Sequence, residues 1–210
     1  MNQLVAFFRH EDKNTRDNRW IFATMLIGSM LSLLAAFVLS VEALQLAKNP
    51  NAALSCSVNV VLNCATVAKH PSAEAFGLFP NSFFGMIAEP VVITVAIAGL
   101  AGIKFPRRFM RWAQVGYTLG LAYALYLFSV SFFVIQALCP WCLLVTLTTI
   151  LVWFSITRYN IREHNLPLPK SLQQKLNEFI KKDYDKVVML GFIVLLIAAI
   201  ILKYGDGLFN

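Results

Sequence analysis

The sequence is poor in charged residues, and two long stretches contain none at all. Asp, Glu, Lys and Arg make up 14% of its 210 residues, against about 25% in a typical soluble domain. No charged residue occurs in 20–41 or in 112–157. Because a run of about 20 apolar residues spans a bilayer as a helix, these stretches exclude an ordinary soluble domain and indicate an integral membrane protein.

The sequence also lacks the features of a cleaved signal peptide. The first apolar run starts only at Trp20, has full spanning length and is not followed by a small-x-small exit. Such a run is typical of a transmembrane helix that is kept in the mature protein. We therefore expect residues 1–19 to form a tail before a retained first span.

The apolar runs predict an all-α membrane protein with five spanning helices. Their expected positions are about 20–41, 81–103, two within the uncharged run of 112–157, and 187–203. The uncharged run is too long for one span, so we expect a break near 136–140. The linker 158–186 is basic and has apolar residues at helical spacing, which predicts an amphipathic surface helix.

The basic residues fall on one side of this arrangement. All but three of the 18 Lys and Arg lie in the tail 1–19, in the loop after the second span or in the linker 158–186. Because such residues concentrate on the cytoplasmic side of membrane proteins, the N-terminus is predicted to be cytoplasmic. The net charge of +7 is then explained by topology, and no nucleic-acid partner is expected. The loop 42–80 and the tail 204–210 are predicted to be extracytoplasmic.

The four cysteines form two close pairs on the predicted extracytoplasmic side. Cys56 and Cys64 lie in the loop 42–80, and Cys139 and Cys142 form a C-P-W-C motif at the start of the fourth span. This side of a membrane is oxidising. All four thiols therefore share one compartment and could exchange disulfides with one another.

The C-P-W-C motif predicts two thiols in different surroundings. Pro140 suits the first turn of a helix, which places Cys139 near the N-cap, where the helix dipole favours a thiolate. Cys142 lies three residues further, about 4.5 Å deeper along the helix. We expect Cys139 to face the aqueous side and to exchange with protein thiols. Cys142 would face the bilayer and could react with a molecule dissolved in lipid.

Other interpretations of these residues remain open at this stage. Two structural disulfides that staple extracytoplasmic loops of a non-enzymatic membrane protein would need the same four cysteines. A metal site is not expected, since His70 is the only histidine on that face and is interpreted as a solvated loop residue. Glu89, an acid inside the second span, is a candidate for proton delivery, or Glu89-Pro90 simply marks a kink.

The order of the motifs resembles the vitamin K epoxide reductase family, especially its bacterial members. A Cys-x7-Cys pair is followed by a loop that ends in FGLFPNSFFG, and then by a C-x-x-C at the start of a later helix. The similarity covers about 20–157. It implies a four-helix catalytic bundle around a quinone, to which the fifth helix would be added.

The resemblance also implies roles for individual residues. It assigns exchange with a thioredoxin-like partner to Cys56, the shuttle from the loop to the C-x-x-C to Cys64 and Cys139, and the contact with the quinone to Cys142. Asn81 matches an asparagine that hydrogen-bonds a quinone carbonyl, and Phe84 matches an aromatic of the same pocket. Thr146 stands where animal members carry a tyrosine. A short helix that caps the site is expected in 66–76.

From these residues we expect a thiol–quinone oxidoreductase of the bacterial plasma membrane. It would reoxidise a separate DsbA-like thioredoxin-fold protein and pass electrons through both cysteine pairs to the membrane quinone pool, as menaquinone, ubiquinone or phylloquinone. This activity would support disulfide formation in exported proteins. Reduction of a quinone epoxide by the same thiols is the alternative within the family.

Overall fold

The expected all-α membrane architecture is confirmed by a computed structural model, which describes residues 12–75 and 77–209. The described residues form seven α-helices: α1 Lys13–Lys48, α2 Cys64–Ala68, α3 Ser82–Leu100, α4 Arg107–Val130, α5 Pro140–Arg162, α6 Lys170–Lys181 and α7 Tyr184–Phe209. Five of them, α1, α3, α4, α5 and α7, are long and apolar enough to cross a membrane. Residues 1–11 of the predicted tail, residue 76 and residue 210 lie outside the described residues.

The first helix extends beyond both ends of the predicted span 20–41. It begins at Lys13 because Asp12 caps it, with Oδ2 accepting the backbone N–H of Thr15 at 2.8 Å. Its 36 residues correspond to about 54 Å at 1.5 Å per residue, well above the roughly 30 Å of a hydrocarbon core. Residues 13–19 and 42–48, expected in the tail and in the loop, are therefore helical.

Helices α5 and α7 are also longer than the predicted spans. Helix α5 continues to Arg162 and α7 runs from Tyr184 to Phe209, so the last helix includes most of the predicted tail 204–210. Hydrogen bonds hold this extension, because Lys203 Nζ and Tyr204 Oη both donate to the backbone carbonyl of Phe132, at 2.5 and 2.6 Å. The end of α7 is thus attached to the turn between α4 and α5.

The break in the long uncharged run lies at 136–139. Helix α4 passes into a π-helical turn, Ser131–Ile135, and Gln136 then adopts a left-handed conformation with φ of 56°. Such a φ is uncommon outside glycine and ends the helix. Ser131 Oγ donates to the carbonyl of Ala137 at 2.5 Å, which fixes the turn immediately before the C-P-W-C motif.

Helix α1 is the central helix of the bundle. It packs against α3 and α5, while α4 and α7 each pack against α5. The main core joins four helices through these buried residues: Ile21, Phe22, Met25, Ala96, Met110, Val152, Ile156 and Tyr159. Half of the most apolar stretch of α1 is buried in the protein, against 11% for α7, so α7 lies at the periphery.

A charged cluster holds three helices together at the end opposite the cysteines. Arg158, near the end of α5, donates to Asp185 at 2.6 Å and to Asp183 at 2.9 Å. Asp17 of α1 lies 3.7 Å from the same guanidinium and 3.8 Å from that of Arg162. Segments expected on the cytoplasmic face therefore meet at one end of the bundle.

The cysteine loop contains little regular structure. The expected helix over 66–76 is instead the short α2, which begins at Cys64, followed by a 3-10 turn at Pro71–Ala73. Pro71 has no N–H with which to continue a helix. Two short antiparallel strands follow, β1 Glu74–Ala75 and β2 Phe79–Pro80, and they lead into α3.

We expect Gly99→Ala to destabilise the bundle, because a Cβ at this position of α3 would overlap the ring of Phe22, a buried residue of α1. Overpacking of this kind costs about 1–3 kcal/mol of unfolding free energy, measurable as a lower melting temperature in detergent. Gly116→Ala on α4 is the matched control, since a Cβ there meets nothing within 4 Å. Equal melting temperatures for the two variants would contradict the packing.

Candidate active site

A tight turn and a short helix position Cys64, the second cysteine of the loop. Asn59 Oδ1 accepts the backbone N–H groups of Val61 and Leu62 at 3.0 and 2.7 Å, a side-chain mimic of a backbone turn. Asn63 then caps α2, its Oδ1 accepting from the N–H of Thr66 at 3.0 Å. Cys64 is the first residue of that helix, so its backbone is fixed from both sides.

A pair of backbone hydrogen bonds joins this loop to the C-P-W-C segment. The N–H of Leu138 donates to the carbonyl of Val61 at 2.7 Å, and the N–H of Asn63 donates to the carbonyl of Leu138 at 3.0 Å. Leu138 is 1% exposed. Because Cys64 follows Asn63 and Cys139 follows Leu138, this bridge brings the two cysteines side by side.

Three of the four sulfur atoms lie within 4.8 Å of one another: those of Cys56, Cys64 and Cys139. Cys56 and Cys64 form a disulfide, whereas Cys139 and Cys142 are free. The Sγ atom of Cys139 lies 3.1 Å from that of Cys64. This is close enough for a disulfide to move from one pair to the other, with Cys64 as the sulfur common to both.

The Cys139 thiol occupies the N-cap of α5. Its Sγ accepts the backbone N–H of Cys142 at 3.4 Å, and Pro140 occupies the first turn, as expected. The pKa of Cys139 is lowered, first by the hydrogen bond with the Cys142 side chain and further by backbone N–H groups, while burial and the charge of Glu42 oppose this. The site therefore favours a thiolate at Cys139, the nucleophilic form of the side chain.

The expected exposure of Cys139 to the aqueous side is wrong. Cys139 is 2% exposed, Cys64 is 1% exposed and Cys56 is 7% exposed, because the loop folds over the start of α5. Cys142, expected one turn deeper along the helix and facing the bilayer, is half-buried in the protein. The C-x-x-C is thus reached from the loop through Cys64 rather than from solvent.

Asn81 begins α3 but its side chain does not cap that helix. The amide Nδ2 donates to the carbonyl of Ser72 at 2.6 Å, and Oδ1 accepts from the Tyr123 hydroxyl at 2.7 Å. An amide nitrogen carries two hydrogens, so one N–H remains for a further acceptor. Phe84, 42% exposed, packs edge-on against Tyr123 with 6.3 Å between ring centroids.

Tyr123 is a member of this group that sequence reasoning missed. It lies on α4, which presents many apolar side chains to the outside of the bundle, and it stacks with Tyr126 one turn further along. A pair of tyrosines near the end of an apolar span is the signal that could have drawn attention to it, because a phenol in such surroundings requires a hydrogen-bond partner.

Asn81 and the cysteine loop lie at the same depth along α1. Ser40 of α1 donates to the hydroxyl of Ser82, next to Asn81, at 2.9 Å. Two residues further along, Glu42 Oε2 is 3.2 Å from Cys56 Sγ. Because two residues advance a helix by about 3 Å, both groups belong to the same end of the bundle.

Glu42 is, besides Tyr123, another residue of the site that was not identified from the sequence. It immediately follows the charge-free run 20–41, where an acid is easily taken for the start of a polar loop. In the structure it is 5% exposed, and Oε1 accepts from the Ser55 hydroxyl at 2.8 Å. A buried acid therefore lies against a cysteine of the loop.

Glu89 lies deeper in the bundle and contacts other groups. It is 5% exposed and accepts hydrogen bonds from Ser32 at 2.9 Å and from Tyr117 at 3.3 Å. It thus links α1, α3 and α4 about two turns below Asn81. Thr146 donates to the carbonyl of Cys142 within its own helix at 3.0 Å. The proton-delivery role of Glu89 stays a prediction.

The distance between Cys64 and Cys139 can be tested by disulfide trapping. We expect the double variant Cys56→Ser/Cys142→Ser to form a Cys64–Cys139 disulfide under mild oxidation, because its two remaining sulfurs lie side by side. The cross-linked peptide would be detected by mass spectrometry after digestion. Cys56→Ser/Cys139→Ser, which leaves Cys64 and Cys142, is the matched control, and equally rapid cross-linking there would contradict the geometry.

The comparison with known proteins finds one family match. A model described as "Vitamin K epoxide reductase family" matches residues 23–157. No curated protein matches the chain. The matched segment contains all four cysteines, Asn81 and most of each of the four helices of the main bundle. With well over half of its length matched, the chain belongs to the vitamin K epoxide reductase family of oxidoreductases.

Proposed function

We propose that the protein is a thiol–quinone oxidoreductase that reoxidises a separate DsbA-like partner and passes the electrons to a membrane quinone. The observation that carries this proposal is the position of the Cys64 sulfur. It is bonded to Cys56 and lies 3.1 Å from the free Cys139 thiol. A loop disulfide and the C-x-x-C are thus arranged for exchange through one shared atom.

The first step is attack by a partner thiolate on Cys56. A mixed disulfide forms between the partner and Cys56, the Cys56–Cys64 bond breaks, and Cys64 leaves as a thiolate. Val58 and Val60, on the same loop, are 73% and 89% exposed. They provide an apolar surface beside the disulfide on which a thioredoxin-fold partner could dock. Because Cys56 itself is 7% exposed, docking has to open the loop locally.

The second step transfers the electrons to the C-x-x-C. The Cys64 thiolate attacks Cys139 of an oxidised Cys139–Cys142 pair, a Cys64–Cys139 disulfide forms, and Cys142 is released as a thiolate. The second thiol of the partner then displaces Cys56. Attack of Cys56 on Cys64 restores the loop disulfide and frees Cys139, so that two electrons have moved to the C-x-x-C.

The residues near Asn81 fit a quinone as the electron acceptor. A quinone accepts two electrons and two protons and leaves as a quinol. Asn81 has an N–H left to donate, its amide is fixed by Ser72 and Tyr123, and Phe84 and Tyr123 offer aromatic surfaces. A donor held in place before the reaction stabilises charge that develops on an oxygen. Cys142 is the thiol proposed to deliver the electrons.

Two other functions use the same residues. Reduction of a quinone epoxide would require the same two thiol pairs, and no described residue favours it over disulfide formation. Structural disulfides in a non-enzymatic protein fit less well. A purely structural disulfide is not expected to have a free thiol 3.1 Å from one of its sulfurs, because that thiol can attack the disulfide and exchange with it.

The proposed location is a bacterial plasma membrane, with the N-terminus cytoplasmic and the cysteines extracytoplasmic. Support comes from the separation of charges and thiols in the fold. The ion pairs of Arg158 and Arg162 lie at one end of the helices, and the four cysteines lie at the other. Redox-active disulfides need the oxidising side, which the basic residues avoid.

Purified protein should reduce a menaquinone or ubiquinone analogue in the presence of a reduced DsbA-like dithiol. We expect the change in quinone absorbance to require both the dithiol and Cys142, so that Cys142→Ser shows only the uncatalysed rate. If wild-type protein reduced the quinone no faster than Cys142→Ser, the proposed function would be wrong.

Tyr123→Phe should weaken quinone binding, because Asn81 loses the hydrogen bond that fixes its amide. A loss of about 1 kcal/mol corresponds to about a fivefold increase in the KM for quinone. Reduction of the Cys56–Cys64 disulfide by the partner should stay unchanged. Tyr126→Phe, which alters the stacked neighbour on the same helix, is the matched control. An equal effect of both substitutions on KM would rule out a specific role of Tyr123.

A further inference from the structure

Glu42 is a buried acid that contacts the cysteine proposed to meet the partner. Its Oε2 and Oε1 atoms lie 3.2 and 3.5 Å from Cys56 Sγ. Burying a carboxylate is costly unless hydrogen bonds compensate. The Ser55 hydroxyl supplies one such bond to Oε1. The oxygen nearest to the sulfur has no hydrogen-bond donor among the described residues while Cys56 is in the disulfide.

The interaction between Glu42 and Cys56 depends on the redox state of the sulfur. A disulfide sulfur carries no hydrogen, so Oε2 only contacts it. When the disulfide opens and Cys56 becomes a thiol, the S–H can donate to Oε2 across the same 3.2 Å. The carboxylate therefore gains a partner in one redox state alone, and that partner is a proton donor.

Among the described residues, the other titratable groups that pack against Cys56 are thiols. Cys64 at the start of α2 and Cys139 at the start of α5 are buried against Cys56, and Cys142 packs on the same cluster. The charge of Glu42 acts on Cys139, where it opposes the lowering of the thiol pKa. Lys48 lies at the exposed end of α1. No basic side chain among the described residues forms an ion pair with Glu42.

Glu42 also has a route for protons. It lies on the wall of a groove between α1 and the cysteine loop, lined among others by Phe37, Gln45, Leu54 and Ser55. Ser55 is exposed, so its hydroxyl joins the carboxylate to the surface. A proton that leaves Cys56 for Glu42 can therefore reach solvent without crossing the cysteine cluster.

We propose that Glu42 is a catalytic acid–base residue that takes the proton of Cys56 when this thiol attacks Cys64, and returns it when Cys56 is displaced. The inference rests on the relay proposed above and deepens it. It adds the proton carrier for the cysteine at the start of the electron path, a residue that none of the motifs contains.

The bonds and protons balance in both directions. In the closing step, the Cys56 proton moves to Glu42, the Cys56 sulfur bonds to Cys64, the existing Cys64 disulfide breaks, and its other sulfur leaves as a thiolate. In the release step, the second thiolate of the partner attacks the partner sulfur of the mixed disulfide, the partner–Cys56 bond breaks, and the electron pair stays on Cys56, which takes a proton from Glu42. General acid–base catalysis of this kind contributes about 100-fold or more to a rate.

The test uses glutathione disulfide as the oxidant and needs neither quinone nor partner. In the full chain with Cys139→Ser and Cys142→Ser, a reduced loop should form glutathione mixed disulfides, and the adduct on Cys64, identified by peptide mass spectrometry, is the one that Cys56 resolves. We expect Glu42→Gln to lengthen the lifetime of this adduct at least tenfold, as measured by mass spectrometry after acid quenching. Glu74→Gln, which removes an exposed carboxylate from the same loop, is the matched control.

A second measurement separates proton transfer from a purely structural effect. In a Cys64→Ser/Cys139→Ser/Cys142→Ser background, the alkylation rate of Cys56 is followed against pH. Loss of the neighbouring negative charge should shift the midpoint to lower pH in Glu42→Gln. Resolution should thus become slower although the thiolate forms more readily, a combination that loosened packing does not produce. Glu42→Asp should recover part of the resolution rate.

An unchanged midpoint, or a shifted midpoint with an unchanged adduct lifetime, would overturn the role of Glu42. The proposed thiol–quinone activity could still hold in that case, since its own test is quinone reduction. Conversely, slow resolution in Glu42→Gln together with no quinone reduction by wild-type protein would support the acid–base role and contradict the wider function.

Discussion

The arrangement of the site depends on two backbone hydrogen bonds between the cysteine loop and Leu138. They pair Val61 and Asn63 with the residue that precedes Cys139, in a position that is almost fully buried. Buried backbone groups must be hydrogen-bonded, so the loop cannot move away from the start of α5 without exposing or abandoning them. This constraint places the Cys64 sulfur 3.1 Å from that of Cys139, although 75 residues separate the two in sequence.

The same constraint divides the site into a part that can open and a part that stays fixed. Cys139 caps a long helix in the middle of the bundle, and its thiol is held by the backbone of that helix. Cys56 lies on the side of the loop away from this anchor, where Val58 and Val60 are exposed. A partner can therefore displace the Cys56 side of the disulfide while Cys64 stays beside Cys139. At the same end of the bundle, Asn81 and Tyr123 form the group that we assign to the quinone.

The sequence predicted the architecture well, because charge-free runs of spanning length leave few alternatives to a helical membrane protein. Cys56, Cys64, Cys139 and Cys142 were singled out from their spacing, and the structure brings the sulfurs of three of them within 4.8 Å of one another. The contacts of Glu42 and Tyr123 could not be predicted. They depend on the rotation of α1 and α4 about their axes, which α3 and α5 set through packing. The burial of Cys139 was missed for a similar reason, since its cover comes from a loop with no periodic pattern.

The central claim is that Cys64 is the only route by which electrons pass from the loop to the C-x-x-C. It is tested most directly by mixing reduced partner with oxidised protein and quinone, and following quinone absorbance in wild-type protein and in Cys64→Ser. The account expects normal turnover in the wild type. In Cys64→Ser it expects loss of quinone reduction with the partner left reduced, because Cys56 then has no disulfide for the partner thiolate to attack. Quinone reduction by Cys64→Ser at the wild-type rate would contradict the relay.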